Sequence, residues 1–410
     1  MLRVGGTLLE RLVNQGEGGY QGAGLACDCG GTARFVEYRA KRVRTILGEI
    51  TVRRAYYFCG ACHQAQTPLD KTLDVAGSGF SPGMRRLSCR VGAKESFALG
   101  SEDLRELASV EVNAKEVERI SERVGEEVMV TEHERREHVF SGKVVVLPQQ
   151  AVPEKVYIAV DGTGVPVVPK ERAGRRGKGE DGKARTRESK LGCVFTQTTV
   201  DGDGRPVREE GATTYVGGIE TAEEIGKDLY AEVIRRGLAK AKTQVVLGDG
   251  AAWIWEMASE HFPHAIQIVD LYHAREHLWT VAHAVYPEEE GRRNRWTGRR
   301  LEELNQGDIA SLLKAFQRVK LPNKQAQETV QTQIKFFRKR REQMRYAYFR
   351  SLGLFVGSGV VEAGCKVVVG QRLKQSGMRW TVRGSNAIIS LRRSFLSGEW
   401  EDFWASRHTG

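Results

Sequence analysis

Much is missing from this 410-residue chain. It has no apolar run long enough to span a bilayer and no signal peptide, so a cytoplasmic protein without a membrane partner is expected. It has no P-loop pattern, so nothing points to a reaction driven by nucleotide hydrolysis. Its cysteines are odd in number and uneven in spacing, with Cys27, Cys29, Cys59 and Cys62 early and Cys89, Cys193 and Cys365 scattered later. That pattern excludes a secreted disulfide framework and fits a reducing compartment with one metal site. Finally, residues 371–393 contain no acidic side chain, although Arg372, Lys374, Arg379, Arg383, Arg392 and Arg393 fall there.

What is present is globular: 40% hydrophobic, 28% charged, with a net charge of +11. The length allows two or three domains. The positive balance favours a polyanionic partner, and without a membrane signal that partner is nucleic acid.

Residues 1–80 read as a zinc-ribbon-like hairpin. Alternating segments at 42–47 and 50–57 flank Gly48-Glu49, a hairpin signal. Cys27-x-Cys29 precedes the hairpin and Cys59-x-x-Cys62 follows it, so four thiolates can converge on Zn²⁺. The single residue between the first two is unusual, and His63 offers a substitute ligand. Unmetallated thiols are the alternative. Residues 81–150 read as helical. Ser101 is placed to cap one helix and Asn113 another, with Glu116 completing a capping box. Leu104, Leu107, Val117, Ile120 and Val124 supply an apolar stripe. The pair suggests a helix-turn-helix, although the second helix is rich in glutamate, and an ordinary packed pair fits equally well.

From residue 151 to 410 strands and helices alternate. Strands are expected at 156–160, 191–200, 213–216, 243–247 and 265–269, with helices at 221–237 and 253–261. A long basic helical stretch follows, to about residue 350, and then a helix capped by Ser358. This order predicts an α/β domain with a ribonuclease H-like core. Residues 170–190, basic and glycine-rich, are expected to form a mobile loop that is either solvated or in contact with DNA. Lys335 to Arg350 interleaves basic residues with Phe336, Phe337, Tyr346, Tyr348 and Phe349, which can stack on bases or form a helix's core face.

Three carboxylates carry the chemistry. Asp161 and Asp249 each end an apolar strand, and Glu362 lies on the late helix. Phosphodiester transfer needs charge stabilisation at the attacking and leaving oxygens together. Two Mg²⁺ or Mn²⁺ ions held by carboxylates supply it. The interval between Asp249 and Glu362 is too long for a minimal core and implies a helical insertion at about 274–350. Asp270 and His273 form a smaller motif, for which a helix-start Asp beside a packed His is the simpler reading.

With these motifs in hand, the chain resembles bacterial insertion-sequence transposases of the ISKra group, and more distantly Mutator-like transposases. The resemblance rests on Val160-Asp161-Gly162-Thr163-Gly164-Val165-Pro166, Leu247-Gly248-Asp249-Gly250-Ala251, Val269-Asp270-Leu271-Tyr272-His273-Ala274 and Gly359-Val360-Val361-Glu362-Ala363. The run from Arg372 through Trp380 is the most distinctive. It implies an Asp-Asp-Glu transposase whose metal-binding triad is Asp161, Asp249 and Glu362, with Asp270 and His273 as auxiliary site residues. It also implies a Cys-bearing DNA-binding region upstream, and the short lead before Cys27 raises the expectation of a missing N-terminal piece. The expected reaction is cleavage and strand transfer of double-stranded DNA, at the ends of an insertion sequence and at a target, by a homodimer or larger assembly in a bacterial nucleoid. Lys366, Arg372, Lys374, Arg379, Trp380 and Arg383 are the expected DNA contacts. The rivals are a hydrolytic nuclease on the same fold and a non-catalytic DNA-binding derivative.

Overall fold

A computed structural model describes residues 2–144, 152–177 and 184–407 of this mixed α/β protein. The chain divides into two compact units, Met1–Met129 with Ala387–Gly410, and Val130–Asn386. No helix among the described residues is long and apolar enough to cross a membrane.

In the first unit the strands β1 (Gly24–Ala26), β2 (Thr32–Thr45), β3 (Gly48–Cys59) and β4 (Ala65–Gln66) pair antiparallel in chain order. The turn between β2 and β3 is Ile46-Leu47, two residues before the expected Gly48-Glu49. Thr45 decides this. Its Oγ1 donates to Gly48 O (2.7 Å) and accepts from Leu47 N (3.1 Å), closing the turn early. Ile50 and Val52 are buried on one face of β3 with Val43 and Val75, and Ala55, Tyr57 and Cys59 on the other with Cys27 and Ala33. Buried Asp70 is held by Lys41 Nζ (3.1 Å) and Arg54 Nη1 (2.6 Å), the pairing a desolvated carboxylate requires.

Three helices follow: Pro82–Lys94, Phe97–Ala108 and Ala114–Phe140. The first lies in the stretch expected to be helical but was not delimited there; Ser81 caps it and Pro82 is at its first position, an ordinary start signal. The second is capped by Ser96 and not by Ser101, which lies inside the helix and donates to Val112 O (2.7 Å). Asn113 and Glu116 do form the expected reciprocal cap, with Glu116 N bonded to Asn113 Oδ1 at 2.9 Å. Leu104, Val117, Ile120 and Val124 are buried, but Leu107 is 82% exposed and leaves the stripe. The helix after Asn113 has 27 residues and is not short.

The second unit is built on a five-stranded sheet of β5 (Lys155–Pro166), β6 (Thr186–Gln197), β9 (Thr214–Gly218), β10 (Thr243–Gly248) and β11 (Ile266–Val269). A two-stranded ribbon of β7 (Thr199–Val200) and β8 (Pro206–Val207) lies in the chain between β6 and β9. Spatial order is β11-β10-β5-β6-β9. β5, β10 and β11 run parallel, and β6 and β9 antiparallel to their neighbours. Val156, Ile158, Val160, Val245, Val246 and Leu247 are fully buried, as central strands covered on both faces require. Two helices, Ala222–Arg235 and Ala252–His261, precede and follow β10.

β5 is longer than the expected strand. Its pairing with β10 stops at Val160, but its pairing with β6 continues to Pro166, so Asp161 lies within β5 and not at its end. For the same reason part of the expected mobile loop is ordered: Pro169–Arg172 is a 3₁₀ turn and Thr186 to Lys190 belong to β6. Residues 178–183 lie outside the described residues. Of the aromatics between Lys335 and Arg350, Phe337, Tyr346 and Phe349 are buried core, Phe336 is half-buried and only Tyr348 is exposed.

The helix Gly359–Gly364 continues as a π-helical turn, Cys365–Gly370, and then Gln371–Leu373. It lies on β5 and β6, and Gly364 allows the approach. A Cβ there would come 2.9 Å from Tyr215 Cε1 and 3.0 Å from Cys193 Sγ. We predict that Gly364→Ala destabilises this unit by about 1–3 kcal/mol through overpacking, which urea unfolding would register as a lower midpoint; an unchanged midpoint would contradict the close packing.

Candidate functional site

Sheet register builds the site. β5, β10 and β11 are in step at Val160, Gly248 and Val269. The next residues are Asp161, Asp249 and Asp270, three aspartates at one edge on neighbouring parallel strands about 4.8 Å apart. Each carboxylate is tied to nearby backbone. Asp161 accepts from Gly162 N (2.7 Å), Asp249 from Ala251 N (2.8 Å) and Asp270 from His273 N (2.8 Å). Asp270 thereby caps the helix Leu271–Val285.

Asp270 is fully buried. Its Oδ2 also accepts from Ser358 N, and its Oδ1 lies 3.2 Å from His273 Nδ1. Burial pulls its pKa up, but the His273 and Ser358 hydrogen bonds outweigh this and hold it below the usual carboxylate range. The same hydrogen bond raises His273 to about 9, so at neutral pH His273 is an imidazolium. Burial pushes the Asp161 carboxyl up, with the Asp249 charge adding to it and the His273 charge opposing it. His273 is therefore a cation among like charges.

Glu362 joins from the opposite side. Its carboxylate comes within 4.8 Å of the ligand atoms of Asp270 and His273, and Ser358 Oγ lies 3.5 Å from Glu362 Oε1. Asp161 and Asp249 do not belong to that tight group. Asp161 shares the neighbourhood through Cys365, one turn beyond Glu362, whose buried thiol interacts with Asp161 and feels the Glu362 charge, and Asp249 shares it through its charge interactions with Asp161 and His273. Asp161 and Asp249 thus come to the sheet edge that Glu362 approaches, and the trio there whose potential ligand atoms all lie within 4.8 Å of one another is Asp270, His273 and Glu362. Carboxylate oxygens in this density suit hard divalent cations.

Two residues from the helical segment were not anticipated. Arg340, 8% exposed, donates from Nη2 to Gly250 O (3.1 Å). Phe336 stacks on His277 (centroids 3.8 Å apart) and lies where any Cβ on Gly250 would sit, 2.7 Å away. Gly250 has φ +99°, so the turn after Asp249 is conformationally specialised and braced from outside. The signal for Arg340 was only its place in a basic run.

The expected DNA contacts divide. Lys366, Lys374, Arg379 and Arg383 are exposed, with Lys374 Nζ 2.5 Å from Thr163 Oγ1. Arg372 and Trp380 are corrections to that expectation. Arg372 is fully buried, its guanidinium 4.9 Å from the Trp380 ring centroid, and Trp380 donates from Nε1 to Leu373 O (3.1 Å). Trp380 also bonds through its backbone to Pro166 O and Val168 N. The ends of the most distinctive run, Arg372 with Leu373 and Trp380, are internal packing, while Lys374 and Arg379 between them are exposed.

In the first unit Cys27, Cys29, Cys59 and Cys62 do converge, with all four Sγ atoms within 4.8 Å of one another. Cys27 and Cys62 are 3.5 Å apart, and Cys29 and Cys59 are 3.7 Å apart. Tetrahedral zinc with ~2.3 Å bonds needs sulfur edges of about 3.8 Å, so the set fits. The short Cys27-x-Cys29 spacing is accommodated by a turn in which Gly30 N donates to Cys27 O and Cys27 N to Gly31 O. Backbone N–H groups of Cys62 and Ala61 lower the Cys59 thiol to about 7, while at Cys62 the lowering by the Gln64 N–H is outweighed by the neighbouring thiols Cys29 and Cys27, which push it up to about 12. His63 is not needed.

Compared with protein-family models and with curated proteins, the chain matches none.

The thiol cluster gives a direct prediction. Metal analysis should find one zinc per chain, and Cys59→Ser should abolish it and open the β2–β3 hairpin to proteolysis; a zinc-free chain with an intact hairpin would refute the site.

Proposed function

We propose that the protein is a divalent-metal-dependent DNA transposase with a ribonuclease H-like core, acting by strand cleavage and strand transfer. The observation that carries this reading is the register that continues Val160, Gly248 and Val269 into Asp161, Asp249 and Asp270, with Glu362 arriving from a late helix. Sheet order supports it as well. In chain order the strands are an antiparallel meander of three, then two parallel additions on the far side of the first, which is the order expected of that core.

Asp161, Asp249 and Glu362 would hold the cations, which when bound neutralise charge at the attacking and leaving oxygens of a phosphodiester. Asp270 orients His273 and anchors the Ser358 turn from which the Glu362 helix starts. The imidazolium of His273 tempers repulsion among the carboxylates before cations arrive. Arg340 and Phe336 fix the turn after Asp249. Exposed Lys366, Lys374, Arg379 and Arg383 would meet phosphates, and the zinc-ribbon-like unit would add DNA affinity. Two DNA ends held together call for a dimer or larger assembly.

The test uses DNA flanking the coding region, as a pre-cleaved end with a supercoiled plasmid target and Mg²⁺ or Mn²⁺. Joined products are expected, and Asp249→Ala should lower them by at least about a hundredfold while DNA binding persists. Cutting without joining would favour a hydrolytic nuclease. Neither reaction, with binding intact, would favour a non-catalytic binder.

A further inference from the structure

A cavity of about 700 Å³ lies directly against the carboxylate cluster, within the second unit. Leu271 and Tyr272, between Asp270 and His273, form one wall. Gly359 and Val360, just before Glu362, form another. Its apolar surface comes from Leu354, Phe355 and Val356. The Tyr272 ring is 57% exposed beside it, packed so closely on Gly357 that a Cβ there would come 3.0 Å from Cε2. An aromatic held this way is a pre-formed stacking surface.

Charge selects the occupant. Arg275 Nη2 donates to Asn305 Oδ1 and Arg350 Nη1 to Asn305 O, both at 2.9 Å. Neither arginine has a carboxylate partner among the described residues, and both line the cavity. Arg205, also on the rim, is paired with Asp203 at 3.2 Å. The cavity thus joins an apolar bed to an exposed tyrosine, with the Arg275 guanidinium 5.4 Å from the Tyr272 ring centroid, and to two guanidiniums that have no carboxylate partner among the described residues. That is the chemistry of one unpaired nucleotide: a base to stack and a phosphate to hold.

We propose that this cavity receives a single unpaired nucleotide of the DNA strand being processed, its base on Tyr272 and its phosphate on Arg350 and Arg275. Taking one nucleotide out of the stack beside the scissile bond would hold the strand in place for attack. The proposal rests on the function proposed above and adds a subsite to it.

The experiment measures binding of a short oligothymidylate carrying one 2-aminopurine, and of a matched blunt duplex, to the full chain without added magnesium. Fluorescence quenching of the strand is expected with wild type. Tyr272→Ala should weaken strand binding about five- to tenfold, Tyr272→Phe should keep it, and Arg350→Gln should weaken it and flatten its salt dependence. Duplex affinity should stay within about twofold in all three. Unchanged strand binding in Tyr272→Ala, or equal loss for strand and duplex, overturns the pocket. If the same preparation still cuts DNA with magnesium, only the pocket is lost. If it neither binds nor cuts DNA, both proposals fall.

Discussion

Everything at the second unit's site depends on one register. Three parallel strands stay in step until Val160, Gly248 and Val269, and each is followed by an aspartate. Pairing fixes their separation, so negative charge is concentrated whether or not anything is bound. Folding must bear that repulsion. It does so with backbone N–H donors to all three carboxylates and with a protonated His273 among them. Bound cations would take over much of that role, so a site built this way gains stability from its ligands.

Asp270 differs from the other two. It is fully sealed, caps a helix, and binds Ser358 and His273, which leaves it little freedom to turn toward a ligand. Asp161 and Asp249 are half-buried, and a neighbouring backbone N–H donates to each. The fold therefore separates a structural carboxylate from two that remain available, although all three occupy equivalent sheet positions. Glu362 lies nearest the structural one and connects with Asp161 through Cys365.

Local signals carried well where local chemistry decides the outcome. Asn113 with Glu116, the helix expected over 221–237, the strand before Asp249 and the four converging cysteines were all visible in the chain. Where a long-range partner decides, the sequence was silent. Asp161 looked like a strand end because hydrophobicity stops there, but β6 carries the strand onward. Leu107 looked like core because spacing cannot tell which side of a helix meets a neighbour. Arg372 looked like a phosphate ligand because charge suggests exposure, but the Trp380 ring and Met378 Sδ receive its guanidinium inside the fold.

That last case changes how the basic stretch after residue 371 should be understood. Burying a guanidinium is costly unless its charge and donors are compensated. Trp380 supplies a π face and is itself pinned to Pro166 and Val168, at the far end of the β5–β6 extension. The run from Arg372 to Trp380 thus ties the helix carrying Glu362 to the strand carrying Asp161. A distinctive sequence at this place need not report DNA contact. It is what fixing two distant carboxylates against each other requires. Replacing Arg372 by lysine would keep the charge but lose the planar stack, so its effect should appear first in the geometry of the site, before any in affinity for DNA.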